Sequence, residues 1–266
     1  MKSLPICLIS FQRLNKTIRS KQVTSLAGKV ILVTGGAHRV GKSIALALAR
    51  EGASIAITYH SSQKDALQTV EELKALEVNA VAFYCDQTEI DQIQKTVVDC
   101  HTFFGRLDGL VNNAAIMQEI PFQEITPETW AQSMDTNARA PFFFTQAASK
   151  LMQEGEGGAI VNILDESAQV PTRYYIHHSA SKAALRMLTL STALELAPRI
   201  RVNAVLPGPV LMPEGGDEER WKRLEKNTPL KRLGTPDDVA RAVLYLMKEE
   251  FITGQVLVVD GGRTIK

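Results

Sequence analysis

Long apolar runs are missing from this 266-residue chain. Its longest are of strand length, well short of the ~20 consecutive apolar residues a bilayer-spanning helix needs. Cysteine is scarce: Cys7, Cys85 and Cys100 are odd in number and lack a CxxC spacing. That excludes a disulfide framework and a thiolate zinc site, and suits reduced thiols in a cytoplasmic-type compartment. An excess of either charge is also absent, with 30 Lys and Arg against 29 Asp and Glu. Nothing electrostatic therefore marks nucleic acid or an anionic membrane as a partner. There is no internal repeat or low-complexity tract. The adjacent His177 and His178 have no further ligands at metal-binding spacing, so no metal is expected. His177 is expected to be an exposed or neighbouring residue, and His38 and His101 to face solvent. Apolar residues make up 45% of the chain, ample for one sizeable core.

Acidic residues are missing from residues 1–27, which carry Lys2, Arg13, Lys16, Arg19 and Lys21. Such a leader has the composition of an organelle presequence. It equally suits a disordered extension, with initiation near Val23. The extension is the reading preferred, with residues 28–266 as the domain.

From Lys29 onward, strand-length apolar runs alternate with helical patterns. Strands are expected at Val30–Val33, Ser54–Tyr59, Ala80–Tyr84, Gly109–Asn112, Ala159–Ile163, Ile200–Val205 and Gln255–Val259. Helices are expected at Ser43–Glu51, Lys64–Leu76, Glu89–Phe104, Glu128–Lys150, Tyr175–Leu196 and Asp237–Met247. This alternation predicts an α/β fold: a single doubly wound Rossmann-type domain, its seven-stranded parallel sheet covered by helices on both faces. Pro207–Leu233 is expected to be one long irregular segment and a candidate lid. Phe142-Phe143-Phe144 reads as core or subunit-contact surface.

Thr34-Gly35-Gly36-Ala37-His38-Arg39-Val40-Gly41 lies between a buried strand and a helix. Glycines there let the backbone turn sharply and approach a pyrophosphate at the helix N-terminus. A site for NAD usually carries Asp or Glu at the end of the second strand, about 20 residues on, to hold the ribose 2′-hydroxyl. Here the end reads Tyr59-His60-Ser61-Ser62. Arg39 and these hydroxyl groups suit a 2′-phosphate, which a carboxylate would repel. NADPH is therefore the expected cofactor.

With these residues in place, the chain resembles the short-chain dehydrogenase/reductase family over Gly28–Lys266. The matching pieces come in family order: the glycine loop, Asp86, Asn112-Asn113-Ala114-Ala115, Asn137, Ser181-Lys182, Pro207-Gly208 and Val259-Asp260-Gly261-Gly262. Within the family it looks most like the pteridine reductases, on Arg39 within the loop, on Tyr59-His60-Ser61, and on Asp165 where most members carry the catalytic serine. The resemblance implies reduction of a dihydropterin or dihydrofolate by NADPH. It implies cofactor contacts at Gly35, Arg39, Val40, Gly41, Tyr59, His60, Ser61, Ser62, Asp86, Asn113, Ala114, Lys182, Pro207 and Gly208. It also implies a homotetramer built through the helices at 128–150 and 175–196. Tyr175, Met117, Met212 and Trp221 are candidates to line the substrate pocket.

The family's Tyr-x-x-x-Lys motif is altered here. Lys182 closes His178-Ser179-Ala180-Ser181-Lys182, and Asp165 precedes His178 by the interval expected between the serine position and the tyrosine. Histidine thus stands in the tyrosine's place. A nearby Lys182 favours neutral imidazole, whereas a carboxylate at Asp165 favours imidazolium. If the two touch, an Asp165–His178 pair becomes a proton relay supported by Lys182 and Asn137. Three functions remain open: a pterin-type reductase, a reductase of another small carbonyl or imine, and a catalytically weakened NADPH-binding sensor or partner.

Overall fold

A computed structural model describes residues 25–212 and 217–266. The basic leader, up to residue 24, lies outside the described residues. Leu26, placed by the sequence in the extension, is buried against the core instead, because the chain leads straight into the first strand.

The strands are β1 (Val30–Val33), β2 (Ser54–Tyr59), β3 (Ala80–Tyr84), β4 (Gly109–Asn112), β5 (Gly158–Ile163), β6 (Ile200–Pro207) and β7 (Val256–Val259). They form one seven-stranded parallel sheet in the order β3-β2-β1-β4-β5-β6-β7. The helices are α1 (Arg39–Arg50), α2 (Gln63–Lys74), α3 (Ile90–Phe104), α4 (Pro127–Met134), α5 (Ala140–Glu154), α6 (Ile176–Leu196), α7 (Glu218–Asn227) and α8 (Pro236–Lys248). The central strands are apolar on both faces, as a sheet covered on both sides requires. One face packs Ile44, Leu48, Val239 and Val243 from α1 and α8. The other packs Ile93, Val97, Phe144 and Met152 from α3 and α5. Strand order reverses between β1 and β4, which opens a crevice at their carboxyl ends, the usual ligand position in such sheets.

The helical stretch expected at 128–150 is continuous, with a π-helical turn, Asp135–Arg139, set between α4 and α5. Such turns widen the backbone and re-aim side chains, and Asn137 sits inside this one, fully buried. The segment 207–233 is not irregular throughout, since it holds α7. Asp217 caps that helix by accepting from Glu219 N and Arg220 N, at 2.9 and 3.0 Å. None of its residues is buried, so no apolar stripe announced it in the sequence.

Candidate active site

The glycine loop is held by its neighbours through backbone contacts. Gly35 N donates to Thr58 Oγ1 at 3.0 Å, and Gly36 N to Thr58 O at 3.1 Å. Asn113 Nδ2 donates to Thr34 O and Gly35 O, at 2.9 and 3.1 Å. Asn113 N and Ala114 N each donate to Thr34 Oγ1 at 3.0 Å. Gly35 has φ +62°, and a Cβ there would stand 2.9 Å from that of Ala114. A Cβ on Gly41 would lie 2.2 Å from Gly35 O, so only glycine fits this crossing. Val40 packs on the core behind the loop. α1 starts without an acidic residue in its first turn and without a side-chain cap from His38. Its orphan amides make a ready anion site. Loop and helix end thus fit a dinucleotide pyrophosphate.

At the end of β2, the Tyr59 ring meets Tyr84 edge-on with centroids 6.0 Å apart. His60 tilts against the same tyrosine at 5.8 Å, and its Nε2 is 3.8 Å from Asp86 Oδ2. Hydrogen bonds from Thr88 N and Oγ1 hold the Asp86 carboxyl below its usual range. Ser61 is exposed, and Ser62 caps α2 by position without using its hydroxyl on the helix. The Arg39 guanidinium donates to the carbonyls of Leu211 and Met212, at 3.4 Å. The turn around Arg39, which has φ +55°, sends the side chain toward the loop after β6. Pro207 ends β6, and Gly208 N donates to Val259 O at 3.0 Å.

Across the crevice, Asp165, His178, Lys182 and Asn137 form one cluster. His178 is 1% exposed. Its Nδ1 is 2.9 Å from Ile116 O and its Nε2 is 2.5 Å from Asp165 Oδ2. Nδ1 also lies 3.2 Å from Asn137 Nδ2, so it stands between a carbonyl and an amide, while Nε2 is aimed at the carboxylate. Asn137 grips Ile116 by both backbone groups: Oδ1 accepts from Ile116 N and Nδ2 donates to Ile116 O, each at 2.9 Å. Nδ2 also donates to Ser181 Oγ at 3.0 Å. The backbone that receives His178 is therefore itself fixed.

Asp165 caps a short 3-10 turn, Glu166–Ala168, and its Oδ1 accepts from Ser167 N at 2.9 Å and from the Ser167 hydroxyl. Burial pushes its carboxyl up. The His178 hydrogen bond, the charges of Lys182 and His178, and the Ser167 hydroxyl outweigh that and hold it at about 2. Lys182 is buried, donates to Ile163 O at 2.8 Å, and is pushed down by burial while Asp165 opposes the shift.

Other candidates lie farther out. Tyr175 is buried, with its ring centroid 6.5 Å from that of His178. Its hydroxyl donates to Glu119 Oε2 at 2.7 Å, the oxygen that also receives Arg220 Nη1 at 2.9 Å. Burial and Glu119 both raise the phenol, leaving it a poor acid. Met117 and Met212 are exposed and Trp221 on α7 is half-buried; none of the three hydrogen-bonds to the Asp165–His178 cluster. Of the two readings for His177, exposure is excluded and the neighbouring position remains: it is fully buried, because 177, 178, 181, 182 and 185 form the inward stripe of α6. Neither of its ring nitrogens has a hydrogen-bond partner among the described residues. Sequence reasoning passed over Thr58 and Ile116. Thr58 left a signal, as a polar residue inside a buried strand; Ile116 acts through its backbone and left none.

A family profile described as enoyl-(acyl carrier protein) reductase matches residues 35–264. The chain belongs to the short-chain dehydrogenase/reductase family. It is 35% identical to an L-rhamnose 1-dehydrogenase (NAD(P)(+)) of Sphingomonas sp. (strain SKA58), over 89% of this chain and 96% of that one. It is 36% identical to the 3-oxoacyl-acyl-carrier-protein reductase FabG of Staphylococcus aureus (strain Mu50), over 88% and 97%. Among solved structures, a blue fluorescent protein from a metagenomic library, in complex with NADPH, matches with a TM-score of 0.85. That protein is 36% identical, with 90% of this chain and 99% of that one covered. The chain is thus a short-chain oxidoreductase of an NAD(P)-binding family. No helix among the described residues is long and apolar enough to cross a membrane.

Proposed function

We propose that this short-chain oxidoreductase uses NADPH to reduce a carbonyl or imine of a small molecule, with Asp165 and His178 supplying the proton. The observation that carries this is the 2.5 Å contact between His178 Nε2 and Asp165 Oδ2. A histidine that had merely replaced a lost tyrosine would have no reason to be buried between a carboxylate and a fixed carbonyl. When bound, the nicotinamide supplies the hydride. The chain's own part is to hold and move a proton. His178 Nε2–H passes its proton by way of Asp165 Oδ2, the group it already contacts, to the substrate oxygen or nitrogen, and the neutral ring keeps its other proton on Nδ1, against Ile116 O. Asp165, whose side chain is 24% exposed, is the route by which the ring regains a proton from water. Lys182 keeps Asp165 ionised by its charge, and Asn137 fixes the carbonyl that orients the ring.

The glycine loop and the amide end of α1 would hold the pyrophosphate, with Asn113 and Ala114 as buttresses. Asp86, Pro207 and Gly208 line the remainder of the crevice. The preference for NADPH rests on the acid-free end of β2, where His60, Ser61 and Ser62 suit a 2′-phosphate. The L-rhamnose and 3-oxoacyl relatives favour a carbonyl–alcohol pair as the substrate. A pterin-like ring is the second reading, favoured by Asp165, whose carboxylate accepts from ring N–H groups. Exposed Ile176, Met187 and Leu194 on α6 support the homotetramer.

The test is NADPH oxidation with simple diketones, 3-oxoacyl thioesters, dihydrobiopterin and dihydrofolate, and NADP⁺ reduction with aldoses. Turnover with one class identifies the substrate. Tight NADPH binding with no turnover on any class would favour the sensor function instead.

A further inference from the structure

The last residues of the chain are held by polar contacts, since the 3-10 turn Arg263–Ile265 buries no residue and Ile265 is 89% exposed. Those contacts run to two places. Arg263 Nε donates to Glu166 Oε2 at 2.7 Å and Nη2 to Glu166 Oε1 at 3.0 Å, a two-pronged pair with both side chains more than two-thirds covered. The glutamate lifts the guanidinium further above its usual range. Glu166 is the residue directly after Asp165 and opens the turn that Asp165 caps. Toward α7, Leu230 N donates to Gly261 O at 3.2 Å, and Lys266 Nζ donates to Asn227 O, the last residue of α7, at 2.9 Å. Within the segment, Asp260 accepts from Gly262 N and Thr264 N, at 2.8 and 2.6 Å, so it is stiff.

We infer that residues 260–266 are a strut between α7 and the catalytic turn, and that Arg263 is a positioning residue for Asp165, acting through Glu166. The inference rests on the Asp165–His178 function proposed above. An exposed ion pair contributes little, but a planar guanidinium that meets both carboxylate oxygens fixes orientation as well as distance. Asp165 must keep Oδ2 on His178 while Oδ1 stays on Ser167, and a turn that rocks loses one of the two. The strut sets how the carboxylate is aimed. None of the hydrogen bonds described for it runs to the glycine loop.

The experiment compares the full chain with Arg263→Met, Arg263→Lys, Glu166→Gln and Asp165→Asn. It measures NADPH affinity, kcat on the best substrate of the panel, thermal midpoint, and the low-field Nε2–H proton resonance of His178 in the NADPH complex. Arg263→Met and Glu166→Gln are expected to lower kcat about tenfold, with NADPH affinity within about twofold of wild type, as expected when an interaction made only in the transition state is lost. The His178 Nε2–H resonance should broaden by faster exchange with solvent. Arg263→Lys, which keeps the charge but not the fork, should fall between. In the Asp165→Asn background, Arg263→Met should lower kcat no further, since its effect passes through that carboxylate. A sharp, wild-type resonance and unchanged kcat in Arg263→Met, with Asp165→Asn inactive, would overturn the strut alone. Full activity in Asp165→Asn would overturn the catalytic reading and the strut with it. A fall in thermal midpoint with resonance and kcat intact would reduce Arg263 to a structural clamp.

Discussion

The two walls of the crevice are built from different materials. The cofactor wall, from β1 through β3, is made of backbone: glycines that no side chain can replace, amides aimed at a helix end, and Thr34 and Asn113 stapling the loop to β4. The substrate wall, from β4 through β6, is made of buried charge: Asp165, His178 and Lys182, each satisfied by the others or by a fixed carbonyl. The first wall fails when volume is added, the second when a charge is removed. That contrast gives each wall its own signature in mutants.

The largest effect is expected on the charged side. Asp165→Asn removes the charge and one of the two acceptor oxygens that serve His178 and Ser167, and with them the proton route, so kcat should fall on the order of 1000-fold with NADPH affinity nearly unchanged. Steady-state kinetics beside fluorescence titration of NADPH would separate the two. Gly41→Ala is expected to do the reverse. Its Cβ would meet Gly35 O, an overpacking that costs about 1–3 kcal/mol, and NADPH affinity should fall roughly 10- to 100-fold, read by the same titration. A loss of kcat at saturating NADPH in that variant would break the division between the walls. Smaller still, Ser61→Asp places a carboxylate where the 2′-phosphate is expected. The ratio of NADPH to NADH affinity should fall about tenfold, while kcat with saturating cofactor holds.

The mildest contrast concerns acid stability. Asp165 is held at about 2, below its ordinary 3.8, so the folded state prefers its ionised form. That stabilisation is complete above about pH 4 and is lost as pH falls from there toward 2. Asp238, held at about 2 chiefly by its hydrogen bond from Arg232, contributes over the same window. Urea midpoints between pH 2 and 6 should therefore drop less steeply in Asp165→Asn than in the wild type, and the remaining slope should belong to groups such as Asp238.

The cofactor wall was the more legible in sequence, and the reason is physical. A loop that must approach a phosphate needs glycine at fixed positions, and a parallel strand buried on both faces must be apolar throughout. Val30–Val33 followed by Thr34-Gly35-Gly36 carries both marks. The sheet, its strand count and most helices followed from the same alternation. The substrate wall was legible in its membership but not in its arrangement. Asp165, His178 and Lys182 could be named through the family resemblance; that Asn137 works from a π turn, and that Ile116 receives the imidazole, could not. A π turn has no composition of its own, and a carbonyl belongs to every residue. Arg39 shows the opposite case. Its position in the loop was plain, but the direction of its side chain depends on a left-handed backbone turn and on where the loop after β6 returns. α7 escaped notice because its stability comes from its cap and charges, without a buried face.

The account stands on the Asp165–His178 pair as the proton source, and one measurement bears on it most directly: kcat for the wild type, His178→Phe and His178→Tyr, on the same substrate at saturating NADPH, beside NADPH affinity by fluorescence titration. The account predicts a kcat on the order of 1000-fold lower in His178→Phe, NADPH affinity nearly unchanged, and no large gain in His178→Tyr. Wild-type kcat in His178→Phe, or a gain of orders of magnitude in His178→Tyr, would contradict it.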